Sequence, residues 1–414
     1  MIVSKLQRIY LLFVLFLTLI GPIPAYGLQI EEAYRAALKF RAEILNADLN
    51  IRQADLEKSL LRVEYYPQIS INSDAGIGGD FDDGEPTDQH RTSIGLTQPL
   101  YRGGLLSAGF DLADSVVESA KLQRQLAAIE LYQNVAQLFF TVLSFESEVD
   151  HLKSQQDALE KRIRVIKTRT EIGRSKATDL IAAQAQLARV QAQLSENQGR
   201  LAAAQLQLAS LMGQRTRPES LYYRYRAEAI PKAWSKRVMS QPRVAALEKA
   251  LEEARLEEDV LRSRFWPQVD ASLQVSPLKS ESSSYNDWDV GISATWLLYD
   301  GGVRSAQMAS QSIEAQKLQH QLENAKLAVQ NEFQELSDQI RAVRIEVKNL
   351  KKAVRLAKQN YDLHQKEYDA GLVSILDVLR VFDDYLILQR SLSTRQYSEA
   401  LLFHQLKAKV GVLP

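Results

Sequence analysis

The sequence predicts a mainly α-helical chain that meets a membrane through β-strands and is built as two tandem repeats. Three observations carry this. First, Gly103-Gly104 returns as Gly301-Gly302, Gly173 as Gly371, Asp179 as Asp377 and Gly213 as Gly411, each at a spacing of 198 (301 − 103). Tyr65-Tyr66-Pro67-Gln68 returns as Phe265-Trp266-Pro267-Gln268 at a spacing of 200 (265 − 65). A period this long makes each copy a sub-domain rather than one turn of a solenoid. Second, long proline-free stretches carry apolar residues at helical spacing. In one of them Leu180, Leu187, Leu194, Leu201 and Leu208 recur every seventh residue, the seam of a coiled coil. Third, each copy holds two short segments of strict apolar–polar alternation, the period of a strand.

Composition narrows the function. Lys+Arg and Asp+Glu both number 51 in 414 residues, and the zero net charge removes the broad electrostatic case for nucleic acid as a partner. Cysteine is absent, which excludes a disulfide framework, a thiolate metal site and a cysteine nucleophile. Proline (11) and glycine (18) are sparse, as long helices require.

Residues 1–27 read as a signal peptide. Lys5 and Arg8 precede the apolar run Ile9 to Ile20, then Gly21, Pro22 and Pro24 break it, and Ala25-Tyr26-Gly27 supplies small residues for cleavage before Leu28. No later segment reads as long and apolar enough for a transmembrane helix, so membrane insertion is expected through strands.

The first repeat spans 28–213. Its opening helix runs from Ile30 to Val63, with Glu31-Glu32 at the positive end of the helix dipole and Pro67 as the stop. A β-hairpin follows over 67–101. Ile69, Ile71, Ala75 and Ile77 oppose Gln68, Ser70, Asn72 and Asp74; an acidic loop covers Gly79 to His90, and Ile94, Leu96 and Leu100 mark the returning strand. A long helix over 103–171, a turn and a helix over 178–212 complete the unit. A connector over 214–239, with Pro218, Pro231, the Tyr222-Tyr223-Tyr225 cluster and Trp234, reads as short irregular or strand structure.

The second repeat spans 240–414: a helix from Arg243 to Arg264, a hairpin over 267–299, a long helix over 302–369, a turn and a helix over 375–411. In its hairpin Trp288, Val290, Ile292, Ala294, Trp296 and Leu298 oppose Asp289, Gly291, Ser293 and Thr295. Three residues follow Gly411, so no tail domain is expected.

An alternating sheet also suits a soluble domain covered on one side. Aromatic residues at the strand ends (Tyr65, Tyr66, Tyr101, Trp266, Trp296 and Tyr299) favour a membrane barrel with an interfacial girdle. Four strands cannot close a barrel, and open edges are not viable in lipid. Several copies of the chain must then pool their strands.

The opening Leu28-Gln29-Ile30-Glu31-Glu32-Ala33, the aromatic-Pro pairs before the strands, Leu298-Tyr299-Asp300-Gly301-Gly302, Tyr368-Asp369-Ala370-Gly371 and Asp377-Val378-Leu379 together resemble the TolC-like outer-membrane efflux protein family. The match runs over both repeats in order. The resemblance implies a homotrimer in the outer membrane of a Gram-negative bacterium, with four strands per subunit closing a twelve-stranded barrel. The long antiparallel helices would form an α-barrel across the periplasm, with the connector at its equator. It implies a passive exit duct of a tripartite efflux or type I secretion system, partnered by a periplasmic adaptor (membrane fusion protein) and an inner-membrane pump, with outer-membrane lipid around it. No catalysis and no cofactor follow from it.

The turns after the long helices are the candidate site. Gly173 and Gly371 allow reversal of the chain. Ser374 with Asp377 resembles a capping box, so a purely structural role stands beside a functional one. The family resemblance makes these turns the closed periplasmic tip and places Asp377 in an acidic constriction; Asp179 is its repeat counterpart, and Tyr368 matches a gate tyrosine. Arg380 departs from the family pattern, since a second acid often stands there, and Val373 stands where a basic gate partner occurs.

The remaining features point to no chemistry. The acidic loop (Asp80, Asp82, Asp83, Glu85, Asp88) lacks the distal glutamate of a calcium loop, Arg91 standing there instead. Gly76-Ile77-Gly78-Gly79 opens no helix and is no phosphate cradle. His90, His151, His320, His364 and His404 have no ligand spacing, so no metal site is expected. Rival readings are a periplasmic coiled-coil scaffold or adaptor with a soluble β-domain, and a surface enzyme or adhesin on a barrel.

Overall fold

The computed structural model describes residues 27–78, 87–173, 175–218, 220–278 and 288–414. In chain order the elements are α1 (Ile30–Phe40), α2 (Ala42–Val63), β1 (Gln68–Gly78), β2 (Thr87–Tyr101), α3 (Leu105–Glu171) and α4 (Ala177–Leu211), then a short α5 (Trp234–Arg237). The second repeat follows as α6 (Pro242–Ser263), β3 (Gln268–Leu278), β4 (Trp288–Thr295), α7 (Val303–Asp369) and α8 (Ile375–Lys409). The signal segment up to Tyr26 and the acidic positions Asp80 to Glu85 lie outside the described residues.

The duplication is visible in helix lengths. α2 and α6 have 22 residues each, α3 and α7 have 67, and α4 and α8 have 35. Gly103, Gly104, Gly173 and Gly213 and their counterparts at 198 residues' distance all have positive φ, between 64° and 90°, and they are the only described residues that do. The repeated glycines therefore mark left-handed corners, where a side chain would strain the backbone.

The structure corrects several expectations. The opening helix is two helices, because Arg41 is extended (φ −75°, ψ 127°). The break coincides with a close contact. Phe40 lies so close to Gly213 that a Cβ there would sit 2.6 Å from the Phe40 Cβ, and the chain turns at that contact before resuming. β2 begins at Thr87, so the loop is shorter than Gly79 to His90: the polar stretch pairs with β1 out to Gly78↔Thr87. β4 ends at Thr295, not at 299. Its last pair is Gln268↔Thr295, and Pro267 has no N–H to extend the ladder. The connector is mostly irregular, with one bridge among the described residues, Leu28↔Leu221; α5 and a 3-10 turn are the part the sequence reading lacked. Finally, α3 does contain a stretch apolar enough by composition to span a membrane. Half of that window is buried in the body, so it is core rather than span.

The four strands form one antiparallel sheet in the order β1-β2-β3-β4. Ile71–Ile94–Val275–Trp288 and Ile69–Leu96–Leu273–Val290 line up as continuous rows across all four strands. That apolar face is uncovered. Ile69 and Ile71 are 72% and 71% exposed, and Ile292 is 73% exposed. At the base of the sheet Arg102 clamps β2 to β3 through a bidentate pair with Asp270 (2.9 and 2.5 Å).

The largest core cluster lies half way along the helices, where α1, the middle of α3 and the ends of α4 and α8 meet around Tyr34, Tyr132, Phe139, Phe140 and Leu208. Tyr34 donates to the Ala128 carbonyl (3.1 Å), and the Tyr132 hydroxyl meets His404 Nδ1 (2.5 Å). Burial pushes His404 down to about 4, so its ring is neutral at physiological pH. Glu399, 2% exposed, receives Arg344 (2.6 Å) and the Tyr225 hydroxyl, tying the connector to α7 and α8.

Candidate functional site

Two regions answer to the sequence expectations: the tip, where both helical hairpins turn, and the sheet.

At the tip, Gly173 (φ 72°) and Gly371 (φ 77°) end α3 and α7 in left-handed geometry. The Ser374 hydroxyl accepts from the Asp377 N–H (3.2 Å), and the Asp377 carboxylate accepts from the Ser374 N–H (3.2 Å) and hydroxyl (2.6 Å). This reciprocal cap, led by the hydroxyl, holds the Asp377 carboxyl below the usual carboxylate range. Asp377 is exposed nonetheless, so capping and facing solvent are compatible. Asp179 does the same work less tightly, accepting from the Ser175 hydroxyl (3.2 Å) and the Lys176 N–H (3.4 Å). Arg380 is exposed, one turn beyond Asp377. Val373 is half-buried beside the tip cluster.

Tyr368 is buried, 9% exposed, in an apolar cluster with Ile166, Ala183, Ile375 and Val378. This cluster joins the two hairpins of one chain. The Arg169 guanidinium lies over the Tyr368 ring (4.5 Å) and reaches Asp369 (3.8 Å). One heptad up, Arg162 donates to the Tyr361 hydroxyl (3.3 Å). Higher still, Asp383 on α8 accepts from Gln155 of α3 (2.9 Å) and from Gln186 of α4. Sequence reasoning missed these cross-hairpin partners, because helix periodicity carries no information about contacts between residues some 200 positions apart. One signal was present: Arg162 and Arg169, like Tyr361 and Tyr368, are spaced by one heptad, so the two pairs share a stripe.

At the sheet, the six aromatics gather at the helix-side ends of the strands, and all are exposed, from 45% at Tyr65 to 83% at Tyr299. Trp296 donates its indole N–H to the Phe265 carbonyl (3.0 Å), and Tyr65 stacks on Phe110. Trp288, 66% exposed, lies at the opposite end of the sheet. Among the described residues no three carboxylate or histidine side chains converge as a metal site. The clefts are shallow grooves between helices, such as the one of about 360 Å³ lined by Asn50, Gln53, Glu57, Gln123 and Glu253.

Comparison with known proteins agrees with this architecture. The profile of the family described as outer membrane efflux protein matches residues 33–214 and 236–411, most of each repeat. Outer membrane protein TolC of Vibrio cholerae serotype O1 is 23% identical over 407 residues, covering 93% of this chain and 91% of that protein. The crystal structure of CusC superposes with a TM-score of 0.82 at 16% identity, covering 92% of each chain. That of the outer membrane protein VceC from Vibrio cholerae gives 0.78 at 17% identity, covering 92% of this chain and 96% of that one. The chain belongs to the outer membrane efflux protein family: it is a transport channel protein of the outer membrane with a periplasmic helical extension, and not an enzyme.

Proposed function

We propose that three copies of this chain assemble into the exit duct of a tripartite efflux or secretion system, handed its cargo by a periplasmic adaptor and an inner-membrane pump. The observation that carries the assembly is the sheet itself. It has two open edges, β1 and β4, and an apolar face that nothing in the chain covers. A soluble β-domain would cover that face, which counts against a scaffold or adaptor. In lipid the face is satisfied, and the edges must pair with other copies.

The duplication supplies the geometry of that pairing. Within the chain, β2 of the first repeat pairs with β3 of the second, and α6 and α8 pack on α3. If the same contacts recur between copies, β4 pairs with a neighbour's β1, and a neighbour's α2 and α4 pack on α7. The exposed apolar stripe of α2 (Leu45, Leu49, Leu56, Leu60, Val63) and exposed α7 residues such as Ile313 and Leu327 support this reading. Detergent extraction should give a trimer that survives mild SDS and forms pores in planar bilayers. A water-soluble monomer without pores would end the proposal.

At the tip, three Asp377 carboxylates around an axis would favour cations, with Arg380 opposing them. Asp377→Ala is expected to lower cation preference in single-channel recordings. Unchanged selectivity would place the constriction elsewhere.

A further inference from the structure

The connector breaks the charge balance of the chain. Between 214 and 239 there are seven basic residues and two acidic ones, a local net charge of +5 (7 − 2) in a protein whose total is zero. Arg215, Arg217, Arg224 and Arg226, with the three cations of 232–237, are all exposed. None of the seven has an ion pair or side-chain hydrogen bond with any described residue. By contrast, Arg102, Arg124, Arg304, Arg344 and Arg390 meet carboxylates.

The platform beneath these cations is fixed. Backbone bonds from Leu28 to Ser220 (2.9 Å) and from Tyr222 to Leu28 (3.0 Å) hold the strip down. Tyr223 points inward onto Phe140 (4.8 Å) and Tyr225 inward onto Glu399, which leaves Tyr222, Arg224 and Arg226 outward on the same extended stretch. The Phe40–Gly213 contact brings exposed Lys39 to the start of the same belt.

Position and composition decide what such a belt meets. Phe140, under Tyr223, lies about 50 Å along α3 from the sheet and about 46 Å from the tip at 1.5 Å per residue. Charges in solution act over about 8 Å at physiological salt. Outer-membrane headgroups are therefore out of reach, and so is a partner docked at the tip. The buried core of a specific protein interface is more apolar than the surface around it. Among the described connector residues the large exposed apolar side chains are Tyr222 (44%) and Met239 (39%), and Phe40 (62%) stands alone at the edge of the belt. Spaced cations without such a centre suit a multivalent polyanion. The anionic polymer that lies at a set depth beneath the outer membrane is the cell wall, whose peptides carry free carboxylates.

We propose that the connector binds peptidoglycan through these cations, fixing the depth at which the duct passes the wall. This uses the outer-membrane placement of the family and does not depend on the trimer. The test is co-sedimentation of the full detergent-solubilised protein with protein-free sacculi. Binding should fall about tenfold in about 0.5 M salt, as for any contact between exposed charges. A similar loss is expected with sacculi whose carboxylates have been amidated, and with the R215E/R217E/R224E/R226E variant. Unchanged thermal unfolding would show that the variant is folded. If it does not fold, K232Q/K236Q/R237Q takes its place, with a smaller loss expected. Equal sedimentation of a folded variant, or undiminished binding to amidated sacculi, would overturn the proposal. So would a wild type that ignores sacculi but is retained by an immobilised acidic protein. A chain that binds sacculi yet conducts nothing would remove the duct reading and leave this one standing.

Discussion

Helices α3 and α7 have the same length and the same place in their repeats, yet α3 buries 18 residues and α7 only eight. The reason is neighbours. α3 is flanked within the chain by α1, α2, α4, α6 and α8, whereas α7 has α6, α8 and the 3-10 turn of the connector. Polarity follows the same asymmetry. Phe139, at the centre of α3, corresponds to Ser337 (337 − 139 = 198); buried His404 and Glu399 of α8 correspond to half-exposed Leu206 and part-buried Leu201. Helices of equal length thus carry different cores, and the poorer core belongs to the repeat whose outer side faces away from its own chain. The sheet shows the same contrast. Arg102 and Asp270 clamp the junction between the repeats, but Asp300, the counterpart of Arg102, folds back on Gly302 N–H (3.1 Å) and Arg304 (2.8 Å). The outward junction has no equivalent clamp among the described residues.

The sharpest way to break this comparison is a cross-link, which the absence of cysteine makes clean. The internal pair Gly95↔Gln274 maps, by the two repeat offsets, onto Ser293 and a neighbour's Asp74. Opposed strand residues lie about 4.5–5.5 Å apart, within disulfide reach. Oxidised S293C/D74C should run as covalent oligomers on denaturing gels, while G95C/Q274C closes inside one chain. Monomer only from the first variant would deny that the internal junction is the mould of the external one.

The next effect is on stability. Phe139→Ala should cost about 3–5 kcal/mol, the price of a large core cavity, read as a lower unfolding midpoint. Leu327→Ala, at a 62% exposed position on α7, should change subunit folding by at most about 0.5 kcal/mol. It should instead lower the temperature at which SDS separates the oligomer. Equal effects at the two sites would mean that α7 has no outer partner.

A pH effect separates the ends of α4 and α8. His404 is held neutral by burial, with its value down to about 4 from 6.5. The unfolded chain therefore binds the proton more readily, and stability falls as pH drops from 6.5 towards 4. His404→Phe should flatten that part of the stability–pH curve. Leu206→Ala, its counterpart, should leave the slope unchanged.

The smallest effect is at the tips. Ser374→Ala removes a hydroxyl cap worth about 1 kcal/mol and should speed amide exchange in the first turn of α8. Lys176 holds the matching place on α4 without a hydroxyl, so Lys176→Ser should slow it there. The lowered Asp377 value acts in the acid range: its stabilisation is full above the unfolded carboxylate value and is lost as pH falls through the lower folded one.

Much of this architecture was legible because it rests on local rules. Left-handed glycines, aromatic-Pro stops, strand alternation and the leucine heptad are each readable within one short stretch of chain. What was not legible depends on distant contacts. Nothing near Arg41 announces a helix break; the contact that accompanies it is with Gly213, far along the chain. Trp296 and Leu298 continue the alternation of β4 without pairing, because the limit is set by Pro267 on another strand. At the tip, the Ser374–Asp377 cap followed from spacing. That Tyr368 is an apolar wedge under Arg169 did not, since Arg169 belongs to the other hairpin.

The paired left-handed glycines between sheet and long helix have a further consequence. Two successive residues that only glycine adopts cheaply fix the corner to one point in the chain, so a helix cannot advance into a strand or retreat from it. Strand length and helix length then behave as two independent rulers, one measuring bilayer thickness and the other the depth of the compartment beneath.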